Sequence, residues 1–331
     1  MSADVDALPR AGTFRPSRSI VVNAIIGVCF LLAVTAFMTY DLKGSLSFAL
    51  ELRAKKVVAM TLVGVGLSVA TVLFHTVSGN RILTPALMGF DALYILIQTV
   101  AAYLFGTFAF LRIDVRIRFV GELAVMMGFA LLLNHVFLRR TRGDVVLLML
   151  AGVVMSGMFR ALSNLVARLI DPNEFVALQD RLFASFSSVD EQLLLASTVC
   201  VALALVVVWR MRYRLDAVAL GHEHATSLGV DVDRTTKVAM ALVAVLVAVP
   251  TALVGAITFL GLLTSNAVYL ATRTFRHRYT IPASAIAGAT VLIGAQFVIE
   301  EFFEFNTRAS MVIAFFGGIA FIVLLLKEQR R

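Results

Sequence analysis

The side chains that could carry chemistry are few, and most of them stand inside apolar surroundings. In the run LAGVVMSGMFRALSNLVARL, Ser156, Arg160, Ser163 and Asn164 recur at helical spacing on one stripe, opposite Leu147, Leu150, Val154 and Phe159 or their neighbours. A guanidinium in lipid is costly and faces a bundle interior or an aqueous cavity. Small hydroxyls beside one cation would make a polar wall that attracts anions and holds them weakly. The alternative is that Arg160 snorkels outward or pairs with an acid such as Asp171. His222 and His224 flank Glu223 in a His-x-His pattern, but no third ligand follows at metal spacing, so no metal site is expected. Asp91 is the one acid well inside an apolar run, and no paired Asp, Ser-His or HExxH constellation accompanies it, which argues against intramembrane proteolysis. No Gly-rich loop precedes a Lys-Ser or Lys-Thr, so nothing here cradles ATP phosphates.

The elements that must position these groups follow from composition. Of 331 residues 60% are hydrophobic and 15% charged, outside the usage of soluble domains. Lipid cannot satisfy free backbone groups, so an all-α, polytopic membrane protein is expected, each span taking about 20 apolar residues. Hydropathy places about ten spans near 21–40, 57–76, 86–107, 119–138, 145–168, 191–209, 236–256, 258–272, 282–300 and 309–326, the 258–272 segment being the shortest. The stretch from Asp171 to Val189 is too polar to span and predicts a short outer helix and loop that narrows an entrance. Cys29 and Cys200 fall inside apolar segments and are expected to pack as small hydrophobes. Residues 1–19 carry Pro9, Pro16 and scattered arginines without periodicity and read as a disordered tail; 328–331 form a second short tail. Arginines and lysines concentrate in alternate loops, which places both termini and the 210–237 segment in the cytoplasm, although Arg53/Lys55/Lys56 and Arg112/Arg116/Arg118 run against that bias. The basic excess is therefore topological, and no soluble basic module suggests nucleic acid.

The longest polar interruption, Arg210 to Lys237, contains LGHEHATSLG. One or two short helices over 216–228 would place Ala219, Leu220, Ala225 and Leu228 on a small apolar face, with Gly221 and Gly229 supplying a turn and a helix stop. These words, L-G-x-x-x-A-x-x-L-G, resemble the coupling loop of the FecCD-like permeases, the membrane subunits of ABC importers for iron-siderophores, haem and cobalamin. The likeness recurs along residues 50–327. Around the second span Arg53, Lys56, Gly64, Leu67, Asn80, Pro85, Leu87 and Gly89 match, while His75 stands where glutamine is usual. Further on, Val254, Gly255, Ile257, Phe259, Gly261, Leu262, Arg273, His277, Arg278, Pro282, Ser284, Gly288 and Ala289 match, and Ala256 and Thr264-Ser265-Asn266 depart. Gly317, Gly318 and Phe321 repeat the ending, with Ile319 in place of proline.

The resemblance implies a permease domain over 20–327 that carries a ferric siderophore, or alternatively cobalamin or haem. It implies that Leu220, Gly221, Ala225, Leu228 and Gly229 touch an ATPase subunit. It also implies that Arg53 and Lys56 meet a substrate-binding protein, against the plainer reading of interfacial snorkelling, and that Ser156, Arg160, Ser163 and Asn164 line the path. Expected partners are a second permease chain, two ATPase subunits that hold the ATP and Mg, the binding protein and lipid; this chain itself holds no cofactor. The acidic run Glu300-Glu301-Phe302-Phe303-Glu304 suggests an asymmetric docking surface and hence a heterodimer. An ion-coupled secondary transporter is the competing class, with Asp91 and Glu300 as its candidate carboxylates. Asn80 and Pro85 predict a tight turn, and His75 predicts a polar contact between helices rather than a proton relay.

Overall fold

The computed structural model describes residues 18–41, 45–140, 145–187, 189–302 and 309–328. Among them run thirteen α-helices: α1 (Arg18–Thr39), α2 (Leu46–Ser78), α3 (Phe90–Phe105), α4 (Thr107–Arg112), α5 (Val115–Arg140), α6 (Val145–Ala167), α7 (Pro172–Leu182), α8 (Glu191–Val218), α9 (His222–Ser227), α10 (Val232–Val254), α11 (Leu260–Thr272), α12 (His277–Phe302) and α13 (Ala309–Glu328). No named strand occurs among the described residues; Phe183 and Ala256 form an isolated bridge. Each expected apolar segment coincides with one of the longer helices. Six of these are long and apolar enough to cross a membrane by themselves, and the apolar parts of α3, α11 and α13 are shorter. The chain is a multi-pass membrane protein. Of the expected tail over 1–19, residues 1–17 lie outside the described residues, whereas Arg18 and Ser19 already belong to α1.

The bundle is built around α2, which packs against α8, α10, α11 and α12 and is buried along most of its length. Lipid offers no hydrophobic drive for helices to associate, so close approach at small residues must supply van der Waals contact instead. A Cβ on Gly64 would come within 2.6 Å of the backbone of Gly288, and one on Gly288 would meet the Gly64 backbone and the Ser68 hydroxyl. A Cβ on Gly261 would meet Thr71 and the carbonyl of Leu67. These glycines set how near α12 and α11 come to α2. On the third side Pro250 interrupts α10 and cannot bond the Leu246 carbonyl one turn before it, and Gly66 of α2 faces that carbonyl and the proline ring.

Hydroxyls fasten the same crossings. Ser68 Oγ lies 2.9 Å from Thr264 Oγ1, Ser265 donates to the Ser68 carbonyl, and Asn266 Nδ2 donates to the Arg81 carbonyl at 3.1 Å. Thr264-Ser265-Asn266, a departure from the family pattern, therefore continues α11 as helix and ties it to α2. Between α3 and α5 the buried Gln98 amide donates to Glu122 Oε1 at 2.7 Å.

The remaining expectations resolve as follows. The Asp171–Val189 stretch forms α7 and a loop whose Ser185 N–H donates to the Val254 carbonyl, so it folds back on the end of α10. Gly79 ends α2 with φ 63° and Asn80 Oδ1 accepts from the Ile82 N–H, giving the expected turn. A 3-10 turn, Pro85–Met88, then precedes α3. His75 is buried and packs near the Tyr269 ring of α11, with the backbone of Leu83, in the turn after α2, as its polar neighbour. Cys29 is exposed on the outer face of α1 and Cys200 is half-buried in α8, so only the latter packs inside this chain.

Candidate functional site

At one end of the bundle the polar stretch from Arg210 resolves into three pieces. α8 continues to Val218, further than hydropathy alone predicts, because its polar last turns still carry Met211, Leu215, Ala217 and Val218 inward. Gly221, at φ 99°, makes the corner into α9, and Gly229, at φ 79°, ends it; both conformations are open to glycine and costly for other residues. Asp231 then caps α10 by accepting from the Arg234 N–H. Within α9 the expected apolar face divides. Ala225 is fully buried and turned toward its own chain, whereas Leu220 and Leu228 are 61% and 64% exposed. Ala225 thus seats α9 on its own bundle, the one side that a helix of six residues sets against it. His222, Glu223 and His224 are all exposed.

Beside α9 a chain of polar contacts pins three helix ends together. Asp216 Oδ1 on α8 accepts from the backbone N–H of His277 and from its Nδ1, both at 2.7 Å, and His277 Nε2 on α12 lies 2.7 Å from Thr76 Oγ1 on α2. His277 is buried, so the pin fixes where α8 hands over to α9 relative to the central helix.

The opposite end departs from expectation. Lys56 Nζ lies 2.7 Å from Glu300 Oε1, with both side chains under a tenth exposed, and Gln296 also donates to that oxygen. Arg53 donates to the carbonyls of Phe37 and Tyr40 at 2.7 and 2.6 Å and reaches Glu301 at 3.4 Å. Both cations clamp α2 to α12 and to the end of α1. Glu300 and Glu301 are equally spoken for, so the expected asymmetric acidic patch loses them; Phe303 and Glu304 lie outside the described residues. Half-buried Lys55 here bridges Glu51 at 2.8 Å and Glu191 at 3.1 Å, and exposed Arg116 lies 3.8 Å from Asp190.

Along α6 the polar stripe splits. Ser163 is buried and donates to the Phe159 carbonyl, Phe159 is itself buried against Phe129, and Ser156 is half-buried beside Gly89. Arg160 and Asn164 stand exposed at the edge. The side α6 turns inward is chosen by Gly152, where a Cβ would lie 2.7 Å from Met88, and not by polarity. Asp171 does not pair with Arg160 but caps α7 by accepting from the Asn173 N–H. The acid within electrostatic reach of Arg160 is Asp91, in the first turn of α3 and buried.

An α-helical bundle with a short helix, α9, at one end still leaves several transporter families open. The decisive observation is that the profile of the FecCD transport family matches residues 20–327. The chain belongs to the FecCD transport family. This FecCD chain is 40% identical to the petrobactin import system permease protein YclO of Bacillus subtilis (strain 168), over 93% of its own length and 98% of the relative's. It is 31% identical to the petrobactin import system permease protein FatC of Bacillus anthracis, over 84% and 78%, and 24% identical to FatD of the same organism, over 93% and 91%. Its fold matches a solved metal-chelate type ABC transporter in an inward-facing conformation with TM-score 0.79 and 20% identity, over 93% and 99% of the two chains. Within this FecCD chain, the Asp216–His277–Thr76 pin and the Lys56–Glu300 pair are what sequence reading missed. A signal existed for the first, since Asp216 and His277 both border apolar runs on the side assigned to the cytoplasm.

Proposed function

We propose that this chain is one permease subunit of an ABC importer that moves a ferric siderophore across the bacterial cytoplasmic membrane. The observation that carries this reading is the 40% identity to a petrobactin import permease along 93% of the chain. The α9 end lies in the cytoplasm with both termini, in keeping with the Lys/Arg bias of the loops. Two ATPase subunits bind there and hydrolyse ATP, and a substrate-binding protein docks at the other end, where Arg112 and Arg116 stand exposed. A second permease completes the path. Arg160 supports this, because an exposed guanidinium midway along an apolar helix is unfavourable against lipid and acceptable against water or another chain. That two petrobactin permeases of one organism both match favours a related rather than identical second chain. Uptake of a panel of radiolabelled ferric chelates by a deletion strain tests the reading. Uptake of one siderophore class is lost and restored by the gene; uniform uptake across the panel refutes it.

Coupling runs through the outward residues of α9. Leu220→Asp with Leu228→Asp is expected to abolish transport while expression and melting temperature stay unchanged, because both side chains already face solvent in this chain. Ala225→Arg, by contrast, is expected to lower the melting temperature, since nothing around it can take the volume. Normal transport by the double aspartate variant removes α9 from the coupling role.

Arg160 and Asn164, the exposed part of the α6 stripe, face the path, while Ser163 is turned into the bundle. Arg160→Gln is expected to reduce uptake of anionic ferric chelates more than neutral ones, with Arg160→Lys tolerated, because a long-range field needs charge but not a fork. Equal loss of both chelate classes together with a lower melting temperature would mean that Arg160 only supports Asp91.

A further inference from the structure

We infer that the groove between α8 and α12 is a binding site for an anionic phospholipid of the leaflet that borders the α9 end. Both helices pack on α2, and between them runs a groove of about 380 Å³, within the usual range of small-molecule pockets, about 300–1,000 Å³. Val65 and Val69 of α2 form its floor, Leu205 and Val206 of α8 one wall, and Pro282 and Ala285 of α12 the other. Val206 is 50% exposed, so the groove opens on the flank of the bundle. α6, where the second permease chain is placed, packs with α3 and α5 rather than on either wall. Arg210 stands at one end of the groove. It lies about 30 Å along α8 from Glu191, the thickness of a hydrocarbon core, so these two residues mark the membrane boundaries and the apolar walls lie between them.

At that depth the surrounding medium is lipid, so an acyl chain is what fills a lateral apolar groove, and the groove's polar end selects the headgroup. Arg210 is exposed and has no ion-pair partner among the described residues. Beside it Arg212 is already engaged: its guanidinium carbon lies 4.6 and 4.3 Å from the ring centroids of Trp209 and Tyr213, and it donates to the Trp209 carbonyl at 2.7 Å. Trp209, the single tryptophan of the chain, and Tyr213 are both exposed one helical turn apart, and such amphipathic rings sit at the headgroup level of a bilayer. Arg210 and the equally exposed Arg214, also one turn apart, remain for a phosphate, whose oxygens match a guanidinium fork. A phosphatidylglycerol keeps its negative charge beside them, whereas the choline of a zwitterionic lipid cancels it. Each arginine near the surface favours anionic lipid roughly fivefold. Beyond Arg210 the Asp216–His277 contact at 2.7 Å joins α8 to α12, so the groove ends at the headgroup level and a lipid enters it from the flank.

The test uses the purified full-length chain in nanodiscs of phosphatidylglycerol and phosphatidylcholine with the same acyl chains in equal amounts, followed by native mass spectrometry of the lipid that stays bound. The wild type is expected to retain phosphatidylglycerol over phosphatidylcholine. Arg210→Gln is expected to reduce that preference about fivefold while an acyl chain still binds. Val206→Trp fills the groove from a half-open position and is expected to lose both lipids with an unchanged melting temperature in lipid-free detergent. Leu203→Trp, one turn earlier on the exposed face of α8 and outside the groove, is expected to bind as the wild type does. Equal retention of the two lipids by the wild type, wild-type retention by Val206→Trp, or the same loss from Leu203→Trp overturns the inference in favour of an annular contact only. Arg210→Gln changes an exposed side chain alone, so its preference is readable even if the tryptophan variant folds poorly. Because binding is read on the isolated chain, its failure leaves the transport reading intact, and failure of siderophore uptake leaves this site untouched.

Discussion

Gly288→Leu is expected to leave little folded protein. The α2–α12 crossing brings backbone against backbone, so a side chain at Gly288 runs into the Gly64 carbonyl and the Ser68 hydroxyl, and neither can rotate away from a helix enclosed by four others. Inserting atoms into a packed interior ordinarily costs about 1–3 kcal/mol through shifted side chains, and a backbone wall places this site at or above the top of that range. The internal comparison is Gly294, on the same helix, where an added Cβ meets nothing within 4 Å; Gly294→Leu is expected to express and melt as the wild type does. Detergent-extracted yield and melting temperature of the two variants decide the matter. Similar behaviour of both would mean that the crossing tolerates separation and that α2 is not fixed by its small residues.

Lys56→Met is expected to destabilise the permease strongly, and Lys56→Met with Glu300→Met to restore much of what is lost. The pair is enclosed at 2.7 Å, so removing one partner strands a buried charge, which costs about 3–5 kcal/mol in comparable pairs. Removing both leaves two apolar side chains of similar reach, a change that is often neutral in other proteins. Gln296, which also donates to Glu300, softens the single loss without replacing the charge. A double-mutant cycle on melting in detergent measures the coupling. Were Lys56 instead a docking residue, Lys56→Met would melt normally and slow association with the binding protein, an outcome that separates the two roles cleanly.

What the sequence determined by itself are the properties carried by neighbours along the chain. Composition forced a membrane bundle because lipid satisfies no backbone groups, and each apolar run became a helix near its expected place. Gly221 and Gly229 bounded α9, because a missing side chain is visible in one dimension, whereas Gly64, Gly261 and Gly288 matched the family pattern without revealing that they sit at crossings. Tertiary structure alone decided which way those elements turn. Lys56 meets Glu300 across 244 residues and Asp216 meets His277 across 61, and each pairing depends on helix tilt and rotation that no local pattern records. Ala225 faces inward and Leu228 outward because α9 lies on its own bundle with one side, and Ser163 is buried while Arg160 is not because Gly152 draws α6 in along a different edge. Polarity fixed what these residues could do; packing fixed which of them remained free to do it.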